Sequence, residues 1–229
     1  VATFNRPLPQ NSESKMKLMS SRLIAALAMT IAASSFAVAT ARAGTVIDDW
    51  ASIKAPPPPE LKAVTVDPKT TALLLLDFVH PICSEQTKPR CVASLPAMKK
   101  LLAEARASHV MVVYSTAGTT TAKDIWADIA PMPGEPVVNS HPDKFQDTDL
   151  EKILKDKGIK TVIVTGVNAN GAVLYTASEA ALRGFKVIDP IDGSSAENEY
   201  IEQYVVYNFA HAPAVSAATT LTRSDMIKF

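Results

Sequence analysis

The stretch FQDTDLEKILKDKGIKTVIVTGV, Phe145 to Val167, sets the fold. Thr148 stands three residues ahead of Glu151, which predicts a capping box: the hydroxyl and the carboxylate each satisfy a free backbone donor at a helix start. That helix is expected to run to Gly158. Thr161 to Val167 then reads as a strand, apolar or β-branched almost throughout and uncharged. A helix feeding an unbroken apolar strand is the repeating unit of a parallel sheet covered on both faces.

The same alternation continues in both directions. Downstream, Asn170 to Arg183 reads as a helix that stops at Gly184, where a left-handed turn suits glycine. Phe185 to Asp189 reads as a strand. Ser194 with Glu197 reads as another helix start leading through Tyr200 to Ala210, and LTRSDMI, Leu221 to Ile227, as a last strand. Upstream, TALLLLDF, Thr71 to Phe78, is a buried strand closing on an acid. Leu95 to Ala107 has apolar residues at helical spacing, and Val110 to Thr116 is a further strand. The expected architecture is three-layer α/β/α with a mostly parallel sheet of about six strands, of Rossmann type. Ligands in such sheets lie beyond the carboxyl ends of strands. Three places therefore matter: Asp77, the Ser115-Thr116 pair and the segment after Gly166.

Of the 229 residues, 47% are hydrophobic and 20% charged, with a formal net charge of zero. That is enough to bury a core, and it gives no electrostatic footprint for nucleic acid or an anionic membrane. Residues 1–15 read as an upstream leader or an overlong start. Residues 16–43 read as a secretory signal peptide: Lys17 and Arg22 precede an apolar stretch, and Ala41-Arg42-Ala43 forms a cleavage site before Gly44. The expectation is a secreted or periplasmic protein, free of the membrane once cleaved. Residues 44–65 form a connector with four consecutive prolines, Pro56 to Pro59, which favour extended polyproline geometry, and the domain spans 66–229. Cys83 and Cys91 lie eight positions apart. Export and an even count favour a disulfide between them over two free thiols.

At the strand ends the sequence resembles the isochorismatase-like, or cysteine hydrolase, superfamily. The carriers are LLLLDF, the Phe145–Val167 block and the following NANGAVLYTASEAALRGFKVI, nearly the whole domain. The resemblance implies an Asp-Lys-Cys triad. Asp77 matches the acid that closes the first strand. The lysine is expected near Asn139 or Ser140, neither of which is basic, so Lys144 is the nearest substitute, displaced along the chain. Ala172 stands where the cysteine belongs, and a methyl group cannot form a covalent intermediate. Val167-Asn168 matches a peptide bond that family members often hold cis, with amides that cradle an anion, and Gly171 lets backbone approach a ligand. His80, Ser115 and Asn170 are candidates for touching substrate. The four histidines are scattered without ligand spacing, so no metal and no cofactor is expected. The resemblance also implies a possible homo-oligomer.

Three readings follow: a hydrolase in which Asp77 drives acid–base chemistry on a small molecule without a cysteine adduct; a pseudoenzyme that binds small molecules or partners; or a rebuilt site in which Cys83, Ser115, Thr116 or Tyr175 is the nucleophile.

Overall fold

The structure is a computed structural model that describes residues 44–229. The expected leader and signal peptide lie outside the described residues. The chain divides into Val1–Pro56 and Pro57–Phe229, and the second unit carries everything below. Among the described residues no helix is long and apolar enough to cross a membrane.

The strands are β1 (Val64–Thr65), β2 (Thr71–Leu76), β3 (Met111–Thr116), β4 (Val137–Asn139), β5 (Thr161–Val167), β6 (Lys186–Pro190), β7 (Ser194–Ser195), β8 (Thr219–Thr222) and β9 (Ile227–Lys228). The helices are α1 (Pro89–Ala107), α2 (Leu150–Asp156), α3 (Leu174–Leu182), α4 (Glu199–His211) and α5 (Val215–Ala218). A seven-stranded sheet runs β4-β3-β2-β5-β6-β8, with β7 pairing β5 beyond the reach of β6. Every strand pair in it is parallel. Strands β1 and β9 pair separately, so the last residues of the expected connector are already structured.

Burial explains why these runs became strands. All six residues of β2 are buried; Leu74 and Leu76 pack on one face of the sheet and Leu73 and Leu75 on the other, as the period of two requires. Each leucine so buried contributes about 1.5–3 kcal/mol. Helix α1 covers the second face with Leu95, Met98, Leu101, Leu102 and Ala105, while α2, α3 and α4 cover the first.

Three local expectations are corrected. The mostly parallel sheet is as expected, with seven strands; what differs is Ser194, read with Glu197 as a helix start, which with Ser195 instead forms β7 beside the end of β5. Helix α4 opens at Asn198, whose Oδ1 accepts from the amide of Ile201 at 3.1 Å. The capping box at Thr148 does not form: its Oγ1 accepts from the amide of Leu150 at 3.2 Å, not from that of Glu151, while its hydroxyl donates to the Lys144 carbonyl at 2.6 Å, and the Glu151 carboxylate pairs with Lys155 and Arg183. Helix α2 ends at Asp156, two residues short of Gly158.

Cys83 and Cys91 form a disulfide, both fully buried. It ties the loop after β2 to the first turn of α1, and Trp126 Nε1 holds the same loop by donating to the Cys83 carbonyl at 2.8 Å. For a closed loop this short, Cys83→Ser/Cys91→Ser is expected to lower the unfolding free energy by about 2–3 kcal/mol. A urea midpoint unchanged from the wild type would contradict that.

Candidate active site

The chain lays down β2, steps outward through β3 to β4, then returns to place β5 on the other side of β2. The order reverses between β2 and β5. At such a switch point the two following loops diverge and leave a crevice beyond the strand ends. Residues from both loops meet there.

Asp77 follows β2 in a left-handed conformation, φ 57°. Its amide donates to the Ser115 carbonyl at 3.2 Å, and its carboxylate accepts from Ser115 Oγ at 2.7 Å on Oδ1. On Oδ2 it meets Lys144 Nζ at 2.8 Å. The lysine is 0% exposed and the aspartate 4%. Lys144 is held from three sides. Its amide donates to Thr176 Oγ1 at 3.1 Å, its carbonyl accepts from Thr148 and its ammonium also reaches the Ser140 carbonyl at 3.4 Å. Burial pushes the Asp77 carboxyl above its ordinary range, opposed by the Lys144 ammonium and the Ser115 hydroxyl. A carboxyl in this setting is nearer to exchanging a proton at working pH than a solvated one.

The opposite wall comes from β5. Gly166 sits at φ 149° where a Cβ would lie 2.4 Å from the Leu76 carbonyl oxygen; only glycine lets the two strand ends close to this distance. The Val167–Asn168 peptide is cis. A π-helical turn, Ala169–Val173, then leads into α3 and places Ala172 in the wall. The resulting cavity of about 290 Å³ is lined by Asp77, Lys144, Val167, Asn168, Gly171 and Ala172, and further by Ile82, Ala117, Gly118 and the Ser140–Pro142 segment.

The sequence-derived residues therefore divide. Asp77, Lys144, Ala172, Val167, Asn168 and Gly171 share one cavity. Lys144, read as displaced from the lysine position, nonetheless brings its ammonium to Asp77. Ser115 supports Asp77 and is not in the cavity wall. His80 lies tilted against the Trp126 ring with centroids 4.2 Å apart, and neither it nor Asn170 lines the cavity. The reading of a rebuilt nucleophile loses its candidates. Cys83 is consumed in the disulfide, the Thr116 hydroxyl accepts from the Asn139 amide at 2.8 Å, and Tyr175 is exposed away from this wall. His141, passed over as a scattered histidine, lines the cavity beside Ser140. Its adjacency to Lys144 in sequence was the one available signal. Among the described residues no three His, Cys, Asp or Glu side chains converge on a metal-sized point.

A parallel α/β sheet with a buried acid–lysine pair at its switch point defines the isochorismatase-like hydrolase class. The isochorismatase domain model matches residues 71–222, and the chain belongs to that family, within the cysteine hydrolase superfamily. It is 35% identical over 108 residues to a secreted isochorismatase effector of Verticillium dahliae, covering 42% of this chain and 56% of that protein. It is 29% identical over 156 residues to a streptothricin hydrolase of Streptomyces noursei, covering 63% and 58%. The chain thus spans little more than half the length of these two relatives. An isochorismatase-like hydrolase from Alkaliphilus metalliredigens superposes with a TM-score of 0.62 at 25% identity, over 68% of this chain and 95% of that one. An N-carbamoylsarcosine amidase from Thermoplasma acidophilum superposes at 0.59 and 23% identity, over 68% and 97%.

Proposed function

We propose that the protein is an exported isochorismatase-like hydrolase in which Asp77 moves the proton and water, not an enzyme thiolate, attacks a small substrate. The observation that carries this reading is the buried Asp77–Lys144 contact at 2.8 Å in a cavity that also contains the Ala172 methyl. Burying two charges is expensive unless they are paired and hydrogen-bonded, and here the pair opens onto a cavity rather than being sealed in a core. The Asp77 carboxyl delivers its proton to the departing atom of the scissile bond. A water molecule adds to the other atom and returns a proton to the carboxylate. The ammonium of Lys144 stabilises the carboxylate in between. With a methyl at 172, the space a sulfur would fill is open to that water. Amides at the opening of the Ala169–Val173 turn, where a helix start leaves N–H groups free, can receive negative charge on a substrate oxygen.

Export is supported by the composition of residues 16–43, by the disulfide, which persists in oxidising compartments, and by the similarity to a secreted protein.

A second reading, a binding protein without turnover, draws on the cavity's lack of a free nucleophile: its one hydroxyl, Ser140 Oγ, is engaged by the carbonyls of Asp143 and Gln146. Small vinyl ethers, amides and ureas incubated with the protein separate the two. Turnover is expected, with no mass added to the intact chain. Asp77→Asn is expected to reduce it by about 10²-fold or more, the usual contribution of a general acid–base group. A covalent adduct during turnover, or full activity in Asp77→Asn, overturns the proton-transfer reading. Ligand binding with no turnover in the wild type favours the second.

A further inference from the structure

The net charge of the cavity depends on a residue that the proton transfer above does not use. Three of the lining residues are ionisable: Asp77, Lys144 and His141. Asp77 and Lys144 meet at 2.8 Å and cancel. The segments facing His141 across the cavity, Ile82 after β2, residues 117–118 after β3 and residues 167–172 after β5, bring no further ionisable side chain. On its own segment, Asp143 does not line the cavity, and its carboxylate accepts from the Phe145 amide at 2.9 Å. His141 itself is exposed, and among the described residues nothing hydrogen-bonds or ion-pairs with its imidazole. The backbone that carries it is nevertheless fixed. The Ser140 amide donates to the Thr116 carbonyl at 3.3 Å, Ser140 Oγ donates to the Gln146 carbonyl at 2.6 Å, and the Pro142 carbonyl accepts from Thr176 Oγ1 at 3.4 Å. Pro142 also narrows the backbone freedom of the residue before it. A ligand that reaches this ring orders one side chain and not a loop.

We propose that His141 is a specificity-determining residue that pairs with a carboxylate carried by the substrate at the end opposite its scissile bond. The proposal deepens the hydrolase reading and rests on the same cavity. Asp77 is 4% exposed and Lys144 0%, so the bond to be broken goes to the floor, and the exposed His141 meets the part of the ligand left at the rim. An imidazole changes charge between about pH 5 and 8. Protonated, it donates from both ring nitrogens and leaves the cavity with one net positive charge; neutral, it leaves none. One positive charge balances a carboxylate and would leave a phosphate dianion half neutralised. An ion pair at an open rim is partly screened by solvent, so the preference is several-fold and not hundreds-fold.

The test compares succinamate, an amide with a remote carboxylate, with succinamide, in which a second amide replaces that carboxylate. Dissociation constants are measured by ligand-detected NMR at pH 5.5 and pH 8 for the wild type, His141→Gln and His141→Lys, and circular dichroism checks that each variant folds. Succinamate is ionised at both pH values. The wild-type preference for succinamate over succinamide is expected to fall about fivefold from pH 5.5 to pH 8. In His141→Gln the preference is expected to be the same at both. His141→Lys stays charged, so at pH 8 it is expected to keep the preference that the wild type shows at pH 5.5. If His141→Gln does not fold, that His141→Lys value decides alone. A wild-type preference that ignores pH, a pH dependence that survives in His141→Gln and so belongs to Asp77, a His141→Lys preference at pH 8 no greater than the wild type's, or no measurable binding of either probe overturns the proposal. Hydrolysis of both amides is followed in the same samples. Where it occurs, His141→Gln is expected to raise KM for succinamate at pH 5.5 about fivefold with kcat unchanged, and to leave succinamide unaffected. Binding that shows the preference without any turnover removes the hydrolase reading and leaves this one standing; turnover of both amides without the preference does the reverse.

Discussion

Lys144→Met is expected to lower the free energy of unfolding by about 3–5 kcal/mol, because it leaves the Asp77 charge buried with only Ser115 beside it. Asp77→Leu is expected to cost a similar amount by stranding the ammonium. The double variant Asp77→Leu/Lys144→Met is expected to lose far less than the sum of the two, since replacing both members of a buried pair by apolar groups is often close to neutral. Urea denaturation of the four proteins, with unchanged slopes, measures the cycle. Additive losses would show that the two charges are not coupled in solution. A double variant as stable as the wild type would further mean that the pair is not kept for stability, which is what a functional pair predicts.

The second large effect lies away from this cavity. Asp189, at the end of β6, is fully buried, and its Oδ2 has no partner among the described residues. Burial pushes its carboxyl up to about 7 from 3.8; the Ser194 hydroxyl opposes this and the nearby Asp192 adds to it. The folded chain therefore holds this proton more tightly than the unfolded chain does. Between pH ~4 and ~7 the folded state binds more protons than the unfolded one, so this group makes stability fall as pH rises through that window. Below it both states are protonated and the penalty vanishes. Each tenfold gain in proton affinity is worth about 1.4 kcal/mol, so the penalty above pH 7 is on the order of a few kcal/mol. Asp189→Asn keeps an acceptor for Ser194 without the charge. It is expected to be more stable than the wild type at pH 8 by that order and indistinguishable from it at pH 4. Parallel denaturation curves at the two pH values test this, and a gain of equal size at both would place the cause outside titration.

The sheet was legible in the sequence because its evidence is local. Thr161–Val167 appears in the structure with the bounds read from the sequence, since a continuous apolar run between the turn at Gly158 and the polar Asn168–Gly171 segment has few other uses. Boundaries governed by contacts between distant segments were not legible. Thr148 and Glu151 have the spacing of a capping box, but the Glu151 carboxylate is drawn to Arg183, 32 residues away, instead of to the helix start. Ser194 has a helix-start signature, yet the exposed edge of Gly166–Val167 offers it strand pairing instead. The same distinction applies to the site. Asp77 and Ala172 could be placed on strand ends by counting along the chain. Lys144 could not, because its approach to Asp77 depends on contacts of the intervening loop, such as that of its amide with Thr176, 32 residues away. Asn168 and His141 acquire meaning only once the cavity has walls.

Both sulfur atoms of the molecule's two cysteines are locked in one covalent bond beneath the surface. Alkylating or oxidising agents that silence thiolate-dependent catalysts thus find no thiol to modify here. The cavity beyond β2 and β5 therefore offers such reagents no sulfur to attack.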